Sequence, residues 1–230
     1  MPVSTEEEKP HYIGHRQRLR ARLFEAGPDA LQDYELLELI LGAAIPRRDV
    51  KPLAKQLLSK HSAWEILQAN VTTLQNAGVP DSAVGVLQAM GALALRAQKK
   101  SMLGQTVLSS WQRLLDYCHA ALAHEKKEQV RLLFLNRRNE LVREDIHQRG
   151  TIDHTPLYPR EVVQRALEVG AGALVLVHNH PSGDPTPSPD DITMTQELVE
   201  ALKPLNITLH DHLVVGRQGI TSFKQMGLLG

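Results

Sequence analysis

Two histidines that alternate with one asparagine follow a short apolar run. His178 and His180 come directly after the run Ala173–Val177, whose length and composition predict a buried strand. Because alternate strand residues point the same way, both imidazoles are expected on one side of the sheet edge. A loop rich in Pro, Ser, Asp and Gly then leads to a helix predicted to begin at Ser188, with Asp191 in its first turn. Two imidazoles and a carboxylate, with a fourth position left for water, predict a catalytic metal site of the kind that zinc forms.

The same residues also allow a purely structural interpretation. Ser188 and Asp191 have the spacing of a capping box with Pro189 at the first helical position. Paired histidines can also simply pack at a strand end. Each feature alone is weak, but the combined spacing of His-x-His, seven residues, Ser, two residues and Asp favours a metal site.

A second pair, His210 and His212, lies on a strand predicted over residues 207–215. No further ligand at suitable spacing completes a second metal site around it. Because metal-bound histidines commonly need an orienting partner, His212 and Asp211 are interpreted as structural residues or as support for a ligand.

The spacing of the first site resembles the JAMM (MPN+) metalloprotease motif. Longer stretches are similar to the bacterial RadC family, and to its YicR-type branch, and the similarity covers nearly the whole chain. It rests on residues 178–185, on 154–173 and on 211–216. The tripeptide His178-Asn179-His180 does not indicate an HNH nuclease, since that motif spreads the same residue types over a much longer hairpin.

This resemblance implies a JAMM-like fold from about residue 108 to the C-terminus. It implies zinc held by His178, His180 and Asp191, and hydrolysis of a peptide or isopeptide bond in an unknown protein or peptide substrate. No membrane partner is expected.

The resemblance also implies a general base and an oxyanion donor. Glu128, just before the apolar run 130–135, matches the glutamate that serves as the base in JAMM enzymes. Glu144 and Asp145 on the next predicted strand are alternatives, and each of the three also fits a solvated strand edge. Ser188 matches the serine that donates a hydrogen bond to the oxyanion, or it is only the helix N-cap.

The elements that must position these residues change in kind along the chain. The first hundred residues have apolar positions at helical spacing, and Ser62 with Glu65 predicts a capping box that opens a helix over 63–68. Residues 74–80, before a helix predicted over 81–96, resemble a degenerate helix-hairpin-helix that lacks its second glycine. Simple helix packing is the alternative to phosphate contact there.

Helical periodicity is lost over residues 97–108, which predicts a boundary between a helical N-terminal domain, 1–100, and a metal-binding domain, 108–230. We therefore predict an α/β fold class, with a helix-hairpin-helix-like N-terminal domain followed by a JAMM/MPN-type mixed sheet with flanking helices. The predicted elements after the boundary are a helix from about Ser110 to Ala123, a hairpin of strands 130–135 and 140–147, a helix from about Pro159, and the strands 173–177 and 207–215.

Composition excludes several classes of protein. The 230 residues include 26 Lys+Arg and 26 Asp+Glu, with 42% hydrophobic and 23% charged residues, as in an ordinary globular protein. Aromatic residues make up only 4%, which disfavours a base-stacking platform for single-stranded nucleic acid. The lone Cys118 cannot form an internal disulfide, the start is acidic, and apolar runs stay well short of the ~20 residues that cross a bilayer. A cytoplasmic protein is the expectation.

Two hypotheses from different classes follow. The first is a zinc-dependent hydrolase of JAMM type. The second is a DNA-associated repair or recombination protein with a non-catalytic metal site, in which the N-terminal helices contact DNA. Its candidate contacts are Arg16, Arg18, Arg20 and Arg22, although these arginines fan around a helix and equally fit a solvated face.

Overall fold

The computed structural model describes residues 12–107, 111–149 and 157–229. Ser110, the predicted start of a helix, and His154, in a segment on which the resemblance rests, lie outside these ranges. One compact unit ends at Leu93 and the second begins at Ala94. Within the described ranges, no helix combines the length and apolar character needed to cross a membrane.

The N-terminal unit is helical, as predicted. Its core is made of buried leucines, valines and alanines, and the capping box of Ser62 and Glu65 is present. Helix α6 continues past the predicted end at Arg96, because residues 97–102 are mostly good helix formers. The helices are α1 (Tyr12–Ala26), α2 (Asp33–Ala44), α3 (Lys51–Leu58), α4 (Ala63–Gln68), α5 (Val71–Asn76) and α6 (Asp81–Met102), with a short 3-10 helix at Pro28–Ala30. The last part of α6, from Ala94, belongs to the C-terminal unit.

Hydrogen bonds or ion pairs within this unit engage three of the four N-terminal arginines, with Arg20 donating to the Arg16 carbonyl at 3.4 Å. The Arg16 guanidinium donates to four backbone carbonyls between residues 42 and 48, at the end of α2. Arg22 forms an ion pair with Glu35. Arg18 and Arg20 are exposed. Contact with DNA through these residues stays a prediction.

The C-terminal unit contains a mixed five-stranded sheet in the part of the chain that the structure describes. The strand order is β2-β1-β3-β4-β5; β3 and β4 are parallel and the other neighbours are antiparallel. The predicted hairpin and the predicted flanking helices are confirmed. The elements are α7 (Trp111–Leu122), β1 (Gln129–Leu135), β2 (Leu141–Arg149), α8 (Pro159–Val169), β3 (Ala173–Asn179), α9 (Pro189–Leu202), β4 (Thr208–Gly216) and β5 (Gly219–Ser222), with a 3-10 turn at Lys203–Leu205.

The two faces of β3 pack against different helices. Val175 and Val177 belong to the core shared with α7, whereas Leu174 and Leu176 belong to the core shared with α8 and α9. Because side chains alternate along a strand, the next residue, His178, is on the α8/α9 face. Asn179 is then on the α7 face.

A β-bulge in β4 separates the second histidine pair. Leu174 pairs with Leu209, but Val175 pairs with Asp211, so His210 is an extra residue in the ladder. His210 and Asp211 line one small cavity beside Trp111 on the α7 side. His212 lies beside His178 on the other face. His210 and His212 therefore face opposite sides of the sheet, although residues two apart in a regular strand face the same side.

Glu144, one alternative for the base, lies in a buried ion-pair network on the α7 side of the sheet. Its side chain is only 2% exposed, and its carboxylate pairs with Arg131 at 2.8 Å and with Lys99 at 2.6 Å. The Tyr117 hydroxyl also donates to it at 2.7 Å. Burial alone would raise the pKa of Glu144, but these cationic and hydrogen-bonding partners lower it.

We expect this network to contribute to the acid sensitivity of the C-terminal unit. The folded-state pKa of Glu144 lies below its ordinary value of 4.5. The stability that this carboxylate contributes is therefore fully present above that value, and it is lost as the pH falls through the folded-state pKa. Glu144→Gln should lower the free energy of unfolding by about 3 kcal/mol or more at pH 7, since it breaks a buried ion pair.

Guanidinium denaturation at a series of pH values measures this effect. The gap between wild type and Glu144→Gln should narrow below pH ~4.5 as Glu144 of the wild type takes up a proton. Glu168→Gln, which affects an exposed ion pair on α8, is the matched control and should change stability far less. A difference in the free energy of unfolding that stays constant as the pH falls would contradict the lowered pKa of Glu144.

Candidate metal centre

Three side chains converge where β3 ends and α9 begins. His178 Nε2 and His180 Nε2 are 3.0 Å apart, and they lie 3.1 Å and 3.4 Å from the Asp191 carboxylate. One ligand atom from each residue falls within 4.8 Å of the others. The structure therefore brings His178, His180 and Asp191 together, and the cluster is compatible with a metal site.

Asp191 is held by the first turn of its own helix. Ser188 is the N-cap of α9; its Oγ accepts from the Asp191 backbone N–H at 3.1 Å, and the Ser188 N–H donates to Asp191 Oδ2 at 2.7 Å. The Ser188 hydroxyl also donates to Asp191 Oδ2 at 2.7 Å. Asp191 is thus both a member of the capping box and a candidate metal ligand. The two interpretations from the sequence are therefore compatible.

A chain of hydrogen bonds fixes the proton positions behind His178. The Thr195 hydroxyl has one proton and donates it to the Asp191 carbonyl, so its oxygen must accept from His212 Nδ1 at 2.6 Å. Burial lowers the pKa of His212 far below its ordinary range, which keeps this ring neutral and leaves Nε2 as an acceptor. His178 Nδ1 therefore donates to His212 Nε2 at 2.7 Å. In a neutral His178, the Nε2 lone pair then faces the cluster, as a metal ligand requires.

His180 is oriented by the loop that follows it. Its Nδ1 donates to the Asp184 carbonyl at 2.9 Å, which leaves Nε2 for the cluster. Arg217 holds this loop from the β4–β5 turn by donating to the carbonyls of Pro181 and Ser182 at 3.1 Å and 2.6 Å. Gly183 has a φ of 95°, and the Arg217 guanidinium occupies the space that a Cβ there would need.

Glu128 precedes β1 on the face that carries the histidines. Val130 pairs with His178 in the antiparallel register, so continuing that register by two residues places Glu128 opposite His180. Glu128 is half-buried, and its charge contributes to raising the pKa of His180. The alternatives are elsewhere: Glu144 is in the network on the α7 side, and Asp145 pairs with arginines on β2 and α8.

The electrostatics of the cluster favour a bound positive charge. The hydrogen bond to Asp191 is the main reason that the pKa of His180 is raised. Burial alone would raise the pKa of Asp191, but hydrogen bonds from His178 and His180 in their protonated forms, together with the one from Ser188, lower it well below its ordinary range. A carboxylate held ionised between two ring nitrogens fits either an imidazolium proton or a metal cation.

Sequence reasoning missed Thr195, Arg217 and Asn179 as parts of this site. Thr195 and Arg217 act across elements, and no local pattern marks such contacts. Asn179 did carry a signal, since asparagine is disfavoured in strands and needs hydrogen-bond partners when buried.

Removing the support behind His178 should weaken metal binding. His212→Leu leaves His178 Nδ1 without its acceptor, and we expect zinc affinity to fall about 10- to 100-fold. Competition with a chromophoric chelator measures the affinity. His210→Leu is the matched control because His210 bonds to Asn139 on the other side of the bulge, and it should leave affinity unchanged. Equal losses in both variants would contradict the orienting role of His212.

Ser188→Ala should affect both helix stability and metal affinity. Loss of the N-cap should lower the free energy of unfolding by about 1 kcal/mol, and loss of the hydroxyl should loosen Asp191 and weaken zinc binding. Ser62→Ala removes the same type of cap from α4 and serves as the control. Ser62→Ala should lower stability similarly, while its zinc affinity stays at the wild-type value. Unchanged zinc affinity in Ser188→Ala would show that helix capping is the only contribution of Ser188.

Comparison with known protein families agrees with this geometry. Residues 108–228 match the family model described as RadC-like JAB domain, and these residues include the sheet, α8, α9 and the His178, His180 and Asp191 cluster. Residues 12–83 match the model described as UPF0758 N-terminal. Since the first match covers more than half of the sequence, the chain belongs to the RadC family.

Proposed function

We propose that this protein is a zinc-dependent hydrolase that cleaves a peptide or isopeptide bond. The observation that carries the proposal is the convergence of His178, His180 and Asp191 at the end of β3. The β1–β3 register, continued by two residues, would set Glu128 opposite His180 and supports its inclusion. The match to a RadC-like JAB domain supports the same chemistry.

The donor set fits zinc. Two imidazole nitrogens and one carboxylate oxygen are a common ligand set of catalytic zinc and leave a coordination position open. Zinc bound there would supply a Lewis acid that lowers the pKa of water towards ~7 and polarises a carbonyl. His180 keeps 20% of its side chain exposed, so the cluster is accessible from solvent on that side.

Glu128 is the proposed general base and general acid. Its half-buried carboxylate, opposite His180, would remove the proton from the attacking water and deliver it to the leaving amine. Neither Glu144 nor Asp145 is proposed for this role, since each is engaged by cationic side chains elsewhere.

Ser188 is the proposed donor to the oxyanion that forms from the scissile carbonyl. In the structure its hydroxyl donates to Asp191 Oδ2. Oxyanion donation therefore requires the hydroxyl to rotate away from Asp191 when substrate is bound, while the backbone N–H of Ser188 still holds the carboxylate.

The DNA-associated function, with a metal site that is not catalytic, stays a prediction from the sequence. Arg18 and Arg20 are the exposed arginines that such a function would use first. A cytoplasmic location likewise stays a prediction.

Glu128→Gln should abolish hydrolysis and leave metal content unchanged, because the substitution removes the base but none of the three ligands. Elemental analysis of protein purified without chelator or histidine tag should give about one zinc per chain in wild type and Glu128→Gln. The His178→Ala/His180→Ala double variant should contain none. Turnover is followed with quenched peptide libraries that include lysine-linked isopeptides, and Glu128→Gln should be at least about 100-fold slower than wild type.

Glu125→Gln is the matched control, since it makes the same change in an exposed residue of the same loop. It should retain wild-type turnover. Stoichiometric zinc without cleavage of any library member would contradict the hydrolase and favour a non-catalytic metal site. Absence of zinc from wild type, with no uptake on addition, would contradict the metal site itself.

A further inference from the structure

Asn179, between the two candidate ligands, contacts the segment that carries Glu128. We propose that Asn179 is the positioning residue for Glu128, an inference that rests on the proposed function of the site. The tripeptide His178-Asn179-His180 would then carry two ligands on one face and, on the other, the residue that sets the base against them.

The contacts of Asn179 bracket Glu128 along the chain. Asn179 is 1% exposed, and its Oδ1 accepts from the Gln129 backbone N–H at 2.9 Å. Its Nδ2 donates to the backbone carbonyls of Glu125 and Lys127 at 3.3 Å and 3.2 Å. All three partners are backbone groups on either side of Glu128, so one side chain fixes the path of the α7–β1 connection.

Strand geometry explains how one tripeptide performs both tasks. His178 faces α9, and Asn179 faces α7, where the chain arrives from that helix to enter β1. In the β1–β3 register Val130 pairs with His178, so Gln129, one residue earlier in β1, falls opposite Asn179. Any shift of residues 125–129 relative to Asn179 therefore moves Glu128 relative to the ligands.

The contacts require the chemistry of a primary amide. The side chain must offer one acceptor to an N–H and two donors to carbonyls, and asparagine does so within one rigid plane. An aspartate of the same shape keeps the acceptor but has no donors, and it would place a carboxylate against two carbonyl oxygens. Asn179→Asp is therefore the sharpest probe, and Asn179→Ser provides a second variant if the aspartate variant does not fold.

Hydrogen exchange tests whether Asn179 holds the segment. Amide exchange within residues 124–130, followed by mass spectrometry, should accelerate about tenfold or more in both Asn179 variants. The matched control is Asn136→Ala, at the other end of β1, where the Asn136 amide also makes three hydrogen bonds. It should leave exchange of 124–130 unchanged. Wild-type exchange in the Asn179 variants would overturn the proposal.

A double-mutant cycle tests whether the effect reaches Glu128. Asn179→Asp should lower kcat about 10- to 100-fold with KM unchanged, and it should have no further effect in a Glu128→Gln background. The Asn136→Ala control should retain wild-type kcat. An equal loss in both backgrounds would overturn the proposal, since Asn179 would then act independently of Glu128.

Cobalt(II) substitution separates this role from an effect on the ligands. The ligand-field spectrum of the cobalt protein should be the same in wild type and Asn179→Asp, because His178, His180 and Asp191 are unchanged. An altered spectrum would overturn the proposal in favour of a direct effect on metal binding. If wild type cleaves no substrate, the proposed function fails, and the exchange experiment still decides whether Asn179 holds the Glu128 segment.

Discussion

An ionised carboxylate held between two imidazoles is the interaction on which the rest of the site depends. Asp191 is largely buried, and burial alone opposes its charge. The charge is kept by the two ring nitrogens and by the N-terminal turn of α9, whose N–H groups and dipole favour an anion. Such a carboxylate requires a positive partner, and it confines that partner to the point where β3, the loop and α9 meet.

Each group around this point is supported by a different part of the fold. His178 is backed by His212 and Thr195, whereas His180 is oriented by the Asp184 carbonyl in a loop that Arg217 holds. Support from several elements limits independent motion of the ligand atoms. Catalytic sites need such rigidity, because a displacement of a catalytic group by about 1 Å lowers the reaction rate strongly.

The sequence was informative where the signal is local. The spacing from His178 to Asp191 predicted that the cluster forms, and apolar periodicity predicted the helices and strands that surround it. The location of Glu144 was not predictable, because nothing in the sequence near β2 shows that Arg131 and Lys99 surround its carboxylate. The role of Asn179 was also missed, since its partners are 50 or more residues away along the chain.

The bulge at His210 has a consequence for which changes in length the fold tolerates. Strand side chains alternate between the two faces of the sheet, and His210 and Asp211 together oppose Val175, so Leu209 and His212 still face the same side. Deleting His210 would therefore remove the bulge and leave Asp211 paired with Val175 and His212 paired with Leu176. His212 would still lie beside His178 on the same face of the sheet, so the support of this candidate ligand would remain. An intact centre therefore depends on a histidine opposite Leu176 rather than on the exact length of β4 before it.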